Sequence, residues 1–121
     1  MNVVGTMFFE DKKLLIDKPR KRSTYQMIGG KVEEGETREQ ALKREIKEEL
    51  ELEINDLEFL TTVDYDYSNF HLTMHCFECS ISGGHLHLNA HNDAKWVTYE
   101  ELDNQKWVPA DILVVDAIKN K

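Results

Sequence analysis

The sequence predicts a mixed α+β domain, in which many short strands surround one long capped helix. Two observations carry this prediction. Several short apolar or alternating segments are separated by polar or glycine-containing turns. One uninterrupted helical segment begins with a capping box. The length of 121 residues suits one domain over residues 1–121.

Six segments are predicted as strands, because each is short, rich in apolar residues and bounded by turn residues. They lie at residues 3–9, 13–18, 25–28, 57–67, 70–81 and 94–97. The first two form a hairpin at Glu10-Asp11-Lys12, and the fourth and fifth turn at Ser68-Asn69. We expect Gly29-Gly30 to lead into a polar loop and Gly83-Gly84 to make a further turn.

The central helix is the clearest element in the sequence. Thr37 and Gln40 form a capping box, with Thr37 as the N-cap, and the helix is predicted to end at Leu50. Leu42, Ile46 and Leu50 recur every four residues and mark its buried face. A second capping box at residues 98–101 predicts a short helix. Pro109 is suited to the first position of a last helix, which ends in Lys119 and Lys121.

Charge and composition exclude several classes of function. Fifteen Lys and Arg against 23 Asp and Glu give a net charge of −8, so duplex DNA, RNA and anionic lipid are poor partners. The apolar runs, such as residues 112–115, are far shorter than the about 20 residues that cross a membrane. Cys76 and Cys79 are three apart on a predicted strand, so they face opposite sides and are expected to be free thiols. A cytoplasmic location follows from these features and from the lack of an export signal.

Three carboxylates on the central helix form the main candidate site. Glu45, Glu48 and Glu49 lie at i, i+3 and i+4, and they share an arc of about 100°. Like charges at these spacings destabilise a helix, and only Arg44 can reach one of them, Glu48, at i+4. Three carboxylates on one face favour a hard divalent cation. The alternative interpretation is a solvated acidic face.

The surrounding spacing resembles the signature of the Nudix hydrolases, G-x5-E-x7-R-E-U-x-E-E-x-G-U, where U is apolar. Gly30, Glu36 and the run from Arg44 to Leu52 match eight of its nine specified positions. Residues 29–33, 71–74, 95–97 and 108–111 also look like the corresponding parts of MutT-type members. Glu51 stands where the family has glycine, and Met27-Ile28 replaces a frequent Phe-Pro.

This resemblance implies a Nudix fold, with a mixed sheet sandwiched between helices and a loop–helix–loop catalytic motif. It implies hydrolysis of a nucleoside diphosphate linked to another group, with Mg²⁺ or Mn²⁺ as cofactor. Glu45, Glu48 and Glu49 would hold the metal, together with the carbonyl of Gly29. Arg44 would orient the glutamates, and Glu36 would support the junction between the loop and the helix.

Five further residues are candidates with two interpretations each. Lys31 either contacts a phosphate oxygen or is a solvated lysine. Asp93 is either an extra metal ligand or base, or a plain loop aspartate. Asp111 either reads the edge of the base or is a favourable charge at a helix start. Tyr25 and Met27 either line a base pocket or belong to the core.

The favoured function is a MutT-type nucleoside triphosphate pyrophosphohydrolase that releases a nucleoside monophosphate and pyrophosphate. Its small-molecule substrate would be an oxidised purine such as 8-oxo-dGTP, or a pyrimidine such as CTP, and the protein would be a monomer or a homodimer. One alternative is hydrolysis of a nucleotide sugar or a dinucleoside polyphosphate. Another is a non-catalytic module that binds a nucleotide, although such modules tend to lose the carboxylates that are present here.

Overall fold

The computed structural model describes residues 1–10, 13–19, 28–85, 92–98, 100–105, 107 and 109–119. They form six strands, two α-helices and one 3-10 helix. In chain order these are β1 (Asn2–Glu10), β2 (Lys13–Pro19), β3 (Ile28–Lys31), α1 (Arg38–Leu50), β4 (Leu52–Asp66), β5 (His71–Gly84), β6 (Asn92–Thr98), the 3-10 helix (Glu100–Asn104) and α2 (Pro109–Lys119). Neither helix in this part of the chain is long and apolar enough to cross a membrane.

The strands form one mixed sheet in the order β4-β5-β1-β2-β6. β1 runs parallel to β5 and antiparallel to β2 and β3. β3 pairs with the first half of β1, from Val3 to Thr6, and β2 pairs with the end of β1, from Phe8 to Glu10. β2 and β3 therefore follow one another along the same edge of β1. This arrangement places the short strand β3 within the sheet, beside the helix that it precedes.

The sheet is sandwiched between helices, which confirms the predicted α+β architecture. One core contains Leu42 and Ile46 of α1, and the other contains Val114 and Ile118 of α2. Neighbouring residues of a strand alternate between the two cores, because successive side chains point to opposite faces of a sheet. Cys76 belongs to the α2 core and Cys79 to the α1 core, and both thiols are free, as predicted.

Some predicted strand boundaries were wrong, because two glycine pairs lie within strands and not in turns or loops. Gly29 and Gly30 do not lead out of a strand, because they form the middle of β3, paired with Gly5 and Val4. A side chain at Gly29 would overlap the carbonyl of Val4, so the close approach of the two backbones requires glycine here. Of the predicted strand over residues 25–28, only Ile28 lies within the described residues, and it is the first residue of β3.

The second pair lies at the far end of the β4–β5 hairpin. Gly83 and Gly84 are not a turn but the end of β5, where they pair with Glu53 and Leu52. β4 consequently begins at Leu52, directly after α1, and not near residue 57 as predicted. Pairing with a neighbouring strand overrides the local preference of glycine for turns.

Both predicted capping boxes form. At α1, Gln40 N–H donates to Thr37 Oγ1 at 3.1 Å and Thr37 N–H donates to Gln40 Oε1 at 2.9 Å. At the second box, Glu101 N–H donates to Thr98 Oγ1 and Thr98 N–H donates back to Glu101 Oε1. The second box opens a 3-10 helix of five residues, and α2 begins at Pro109 as predicted.

Helix α1 ends at a residue with left-handed backbone. Glu51 has φ 56° and ψ 33°, and its N–H donates to the carbonyl of Lys47 at 3.1 Å. This is the conformation in which the family signature has glycine, and a non-glycine residue adopts it at a cost of roughly 1–2 kcal/mol. The helix therefore ends in the left-handed conformation that the signature glycine favours, although Glu51 stands at that position.

Glu51→Gly is expected to stabilise the protein by about 1 kcal/mol, because the left-handed conformation costs glycine nothing. A thermal melt should show a rise in Tm of roughly 3–5 °C for a chain of this length. Glu53→Gly is the control, because Glu53 lies in extended β4 and glycine there should lower the Tm. A lower Tm for Glu51→Gly would mean that the helix ends differently in solution.

Candidate active site

The loop that leads into α1 is a tight turn. Glu36 N–H donates to the carbonyl of Glu33 at 3.1 Å, and Gly35 between them has φ 84°. A positive φ at this position of a turn favours glycine. Glu33 N–H also donates to Glu36 Oε1 at 3.0 Å. The turn therefore brings the Glu36 carboxylate back over the start of the loop, toward the helix.

Arg44 joins this loop to α1 and to β3. Its Nε and Nη2 donate to the two carboxylate oxygens of Glu36, at 2.8 and 3.0 Å. Nη2 also donates to the backbone carbonyl of Lys31 at 3.0 Å. Because the paired contact with Glu36 matches the planar fork of a guanidinium, it fixes both the position and the orientation of Arg44.

The Arg44–Glu36 pair stays ionised over a wide range of pH. The hydrogen bond from Arg44, helped by the backbone N–H of Glu33, lowers the pKa of the Glu36 carboxyl. The same pair raises the pKa of the Arg44 guanidinium above its already high value. Since both groups remain charged at neutral pH, their contact persists there.

Arg44 also contacts two of the three carboxylates that are predicted as metal ligands on α1. Its Nη1 lies 3.0 Å from Glu45 Oε1 and 3.4 Å from Glu48 Oε2. The side chain of Glu45 is 16% exposed, whereas that of Glu48 is 59% exposed. One guanidinium nitrogen thus holds two carboxylates on the same side of the helix, and it offsets part of their mutual repulsion.

Gly30 makes room for Glu45. A methyl group at Gly30 would overlap the Glu45 carboxylate, so any larger residue would displace it. The carboxylate is therefore packed against the backbone of β3 as well as held by Arg44. This contact explains why a glycine at position 30 and a glutamate fifteen residues later belong to the same site.

The donor atoms fit a hard divalent cation, although the site is not preassembled. Among the described residues, no three His, Cys, Asp or Glu side chains converge to form a ready cation site. Glu45 and Glu48 nevertheless reach a common nitrogen, and Glu49 adds a third carboxylate on α1. Carboxylate oxygens are the ligands that Mg²⁺ and Mn²⁺ prefer.

The structure brings together one group of the predicted site residues. They are Gly30, Glu36, Arg44, Glu45 and Glu48. Gly29 is the neighbour of Gly30 in β3, and Glu49 is half-buried on α1. Lys31 has an exposed side chain next to them, and it contributes its carbonyl to Arg44.

The other predicted site residues lie elsewhere or outside the described residues. Asp111 is in the first turn of α2, on the opposite face of the sheet from α1, and is only 3% exposed. Asp93 is in β6, where its backbone pairs with Lys18, but its side chain lies outside the described residues. Tyr25 and Met27 also lie outside them.

The buried Asp111 carboxylate affects its surroundings. Burial, with a smaller contribution from Asp111, raises the pKa of the Cys76 thiol to about 12. Cys76 is therefore a protonated core residue and not a nucleophile. A buried carboxylate is costly unless it is compensated, and the first turn of α2 supplies a favourable helix dipole.

Sequence reasoning missed three features of the site and its surroundings. The carbonyl of Lys31 binds Arg44, Gly30 accommodates Glu45, and the Tyr67 hydroxyl accepts a hydrogen bond from Ala110 N–H. Only the Gly30–Glu45 contact had a signal in the sequence, namely the glycine of the signature. The other two contacts join residues 13 and 43 positions apart, which no local pattern connects.

Two histidines of β5 also have partners that the sequence did not indicate. Exposed His71 contacts Asp66 and Asp64, at 2.5 and 3.1 Å, and these carboxylates raise its pKa. Buried His75 contacts Thr62 and Asn2, and burial lowers its pKa. Both are tied to strand residues, so neither is a candidate ligand for the α1 site.

Comparison with known proteins agrees with this geometry. Residues 1–117 match the family described as the NUDIX domain. A Mycobacterium tuberculosis (strain CDC 1551) protein named "Putative 8-oxo-dGTP diphosphatase 2" is 38% identical over 94 residues, which are 77% of this chain and 67% of that protein. The CTP pyrophosphohydrolase of Escherichia coli (strain K12) is 29% identical over 121 residues, covering 97% of this chain and 90% of the relative.

A solved structure gives the same result for the fold. A MutT structure, from work on Aliivibrio salmonicida and Vibrio cholerae, superposes with a TM-score of 0.84 at 27% identity. The superposition covers 99% of this chain and 96% of the other. The sheet and its two helices are thus arranged as in that protein.

Proposed function

Since this chain belongs to the NUDIX domain family and is a Nudix hydrolase of the MutT type, we propose that it hydrolyses nucleoside triphosphates to a monophosphate and pyrophosphate. The observation that carries the proposal is the contact of Arg44 with Glu45 and Glu48, beside Gly30. It orients two signature carboxylates toward one point. The relatives are named for nucleotide diphosphatase and pyrophosphohydrolase activity, which supports the same class of reaction.

The family generally requires a divalent cation, and we propose Mg²⁺ or Mn²⁺ for this chain. Glu45, Glu48, Glu49 and the carbonyl of Gly29 would hold it, with Asp93 as a further candidate ligand. Such a cation, when bound, neutralises phosphate charge and lowers the pKa of its bound water. The acidic net charge of −8 supports this role, because the protein alone would repel a triphosphate.

The protein's own residues then have distinct tasks. Glu36 holds Arg44 through two hydrogen bonds, and Arg44 orients the carboxylates. Gly30 leaves the space in which the Glu45 carboxylate packs against β3. Lys31 is exposed next to the cluster, where its ammonium can contact a phosphate oxygen.

For the base, we propose either an oxidised purine, as in 8-oxo-dGTP, or a pyrimidine, as in CTP. One relative is named as a putative 8-oxo-dGTP diphosphatase and another as a CTP pyrophosphohydrolase, which supports these two candidates. Asp111 would contact the edge of the base, and Tyr25 and Met27 would line its pocket. The place of Asp111 in the first turn of α2, within the segment 108–111 that resembles MutT-type members, supports this recognition role.

We further propose that residues 1–121 act as one domain, as a monomer or a homodimer, in the cytoplasm. The family match to residues 1–117 supports the single domain. The two free thiols, both buried, suit a reducing compartment.

Removal of divalent cations is expected to abolish hydrolysis, and Mg²⁺ or Mn²⁺ should restore it. Either cation should also raise the Tm, because it binds the folded state preferentially. The assay is a panel of nucleoside triphosphates, nucleotide sugars and dinucleoside polyphosphates, with pyrophosphate and phosphate measured separately. Hydrolysis that resists a chelator would contradict the proposed metal site. Release of phosphate without pyrophosphate would contradict the proposed reaction.

A further inference from the structure

The turn between β4 and β5 is joined to the start of α2 by one side-chain hydrogen bond. Ala110 N–H donates to the Tyr67 hydroxyl at 3.2 Å. Ala110 is fully buried and lies in the first turn of α2, where backbone N–H groups have no acceptor within the helix. Pro109, just before it, has no N–H at all. Tyr67 therefore supplies, from another element, the cap that a Ser or Asp side chain supplies at most helix starts.

The Tyr67 side chain is itself held firmly. Its ring stacks on Phe70, with centroids 5.2 Å apart, and packs at a tilt against Tyr65, with centroids 4.8 Å apart. Tyr67 N–H donates to the carbonyl of Phe70 at 2.9 Å and closes the turn. His71, which follows Phe70, contacts Asp66 of β4. The hydroxyl thus has a defined position relative to the sheet.

Asp111 directly follows the residue that Tyr67 holds. Its carboxylate is buried, so a small rotation of the first turn of α2 would change what it faces. We propose that Tyr67 is a positioning residue for base recognition, which fixes the direction of Asp111 by holding Ala110. This inference rests on the proposed function, in which Asp111 contacts the base. Tyr67 packs in the α2 core, away from the α1 carboxylates, so it acts on nucleotide binding and not on the phosphate chemistry.

The test is Tyr67→Phe, which removes the hydroxyl and keeps the ring. For the preferred triphosphate, KM should rise roughly three- to tenfold, the size of one neutral hydrogen bond, while kcat stays within about twofold. The ratio of kcat/KM between nucleotides with different bases should decrease. Amide hydrogen exchange at Ala110 should accelerate. Tyr65→Phe is the matched control, because it removes a hydroxyl from the same aromatic cluster without touching the Ala110 bond, and it should leave all four quantities unchanged.

Two results would overturn the inference. In one, Ala110 exchange accelerates but KM and base discrimination are unchanged. In the other, kcat falls by a common factor for every nucleotide, which indicates only a structural role. Failure of the proposed function is distinguishable from both, because the unsubstituted protein would then release no pyrophosphate from any triphosphate, and this inference would fall with it.

Discussion

Glu48→Gln is expected to lower kcat by roughly 10²-fold or more, the scale seen when a main electrostatic group is removed from an active site. The substitution keeps the shape of the side chain and removes one charge from the proposed cation site. The fold should be retained, since Glu48 is largely exposed and its contact with Arg44 is a surface pair worth about 0.5 kcal/mol or less. Loss of repulsion from Glu45 offsets part of that cost. Steady-state kinetics and a thermal melt measure the two effects.

Glu53→Gln provides the control for Glu48→Gln. Glu53 is also an exposed glutamate in a surface pair, with Lys47 at 3.7 Å, but it lies in β4 and outside the Arg44 cluster. Its substitution should leave kcat unchanged. Near-normal turnover for Glu48→Gln would place Glu48 among the solvated residues and favour the interpretation of α1 as a plain acidic face.

Arg44→Ala is expected to lower kcat by roughly 10²-fold, because misplacement of catalytic groups by about 1 Å has an effect of that size. The Tm should fall as well. The substitution removes the guanidinium that joins Glu36, Glu45, Glu48 and the carbonyl of Lys31. Both Glu36 and Glu45 are half-buried and would lose this partner. Kinetics with saturating Mg²⁺ and a melt without added metal separate the two effects.

Arg44→Lys and Lys47→Ala show which property of Arg44 matters. Lysine keeps the charge but lacks the planar fork, so it cannot make the paired contact with Glu36. We expect a kcat between those of the unsubstituted protein and Arg44→Ala. Lys47→Ala removes an exposed cation from the same helix and should change kcat little. An Arg44→Ala enzyme with the kcat of Lys47→Ala would contradict the orienting role.

The parts of the fold that sequence alone predicted are those with local causes. Thr37 caps α1 through Gln40, three residues away, and Leu42, Ile46 and Leu50 are buried because helix geometry repeats every 3.6 residues. The proximity of Arg44 to Glu48 follows from the same periodicity. The strained position of Glu51 was also predictable, because the signature places glycine there.

Other features depended on partners distant in the chain. Gly29-Gly30 and Gly83-Gly84 have the local preferences of turns, but β1 and β4 draw them into strands. A chain segment cannot reveal the hydrogen-bond donors that a neighbouring strand will offer. For this reason the boundaries of β3, β4 and β5 were predicted less well than those of α1 and α2.

For the candidate site, the sequence predicted which residues would carry the chemistry, and helix periodicity put Glu45, Glu48 and Glu49 on one face of α1. How these residues are held depends on contacts that form when the chain folds. The tertiary structure packs Glu45 against Gly30, joins Arg44 to the carbonyl of Lys31, and places Asp111 on the opposite face of the sheet. The sequence could not predict these contacts because helix periodicity relates only residues that are a few positions apart. The packing of α1 and α2 on a sheet depends on contacts between segments that are far apart in sequence.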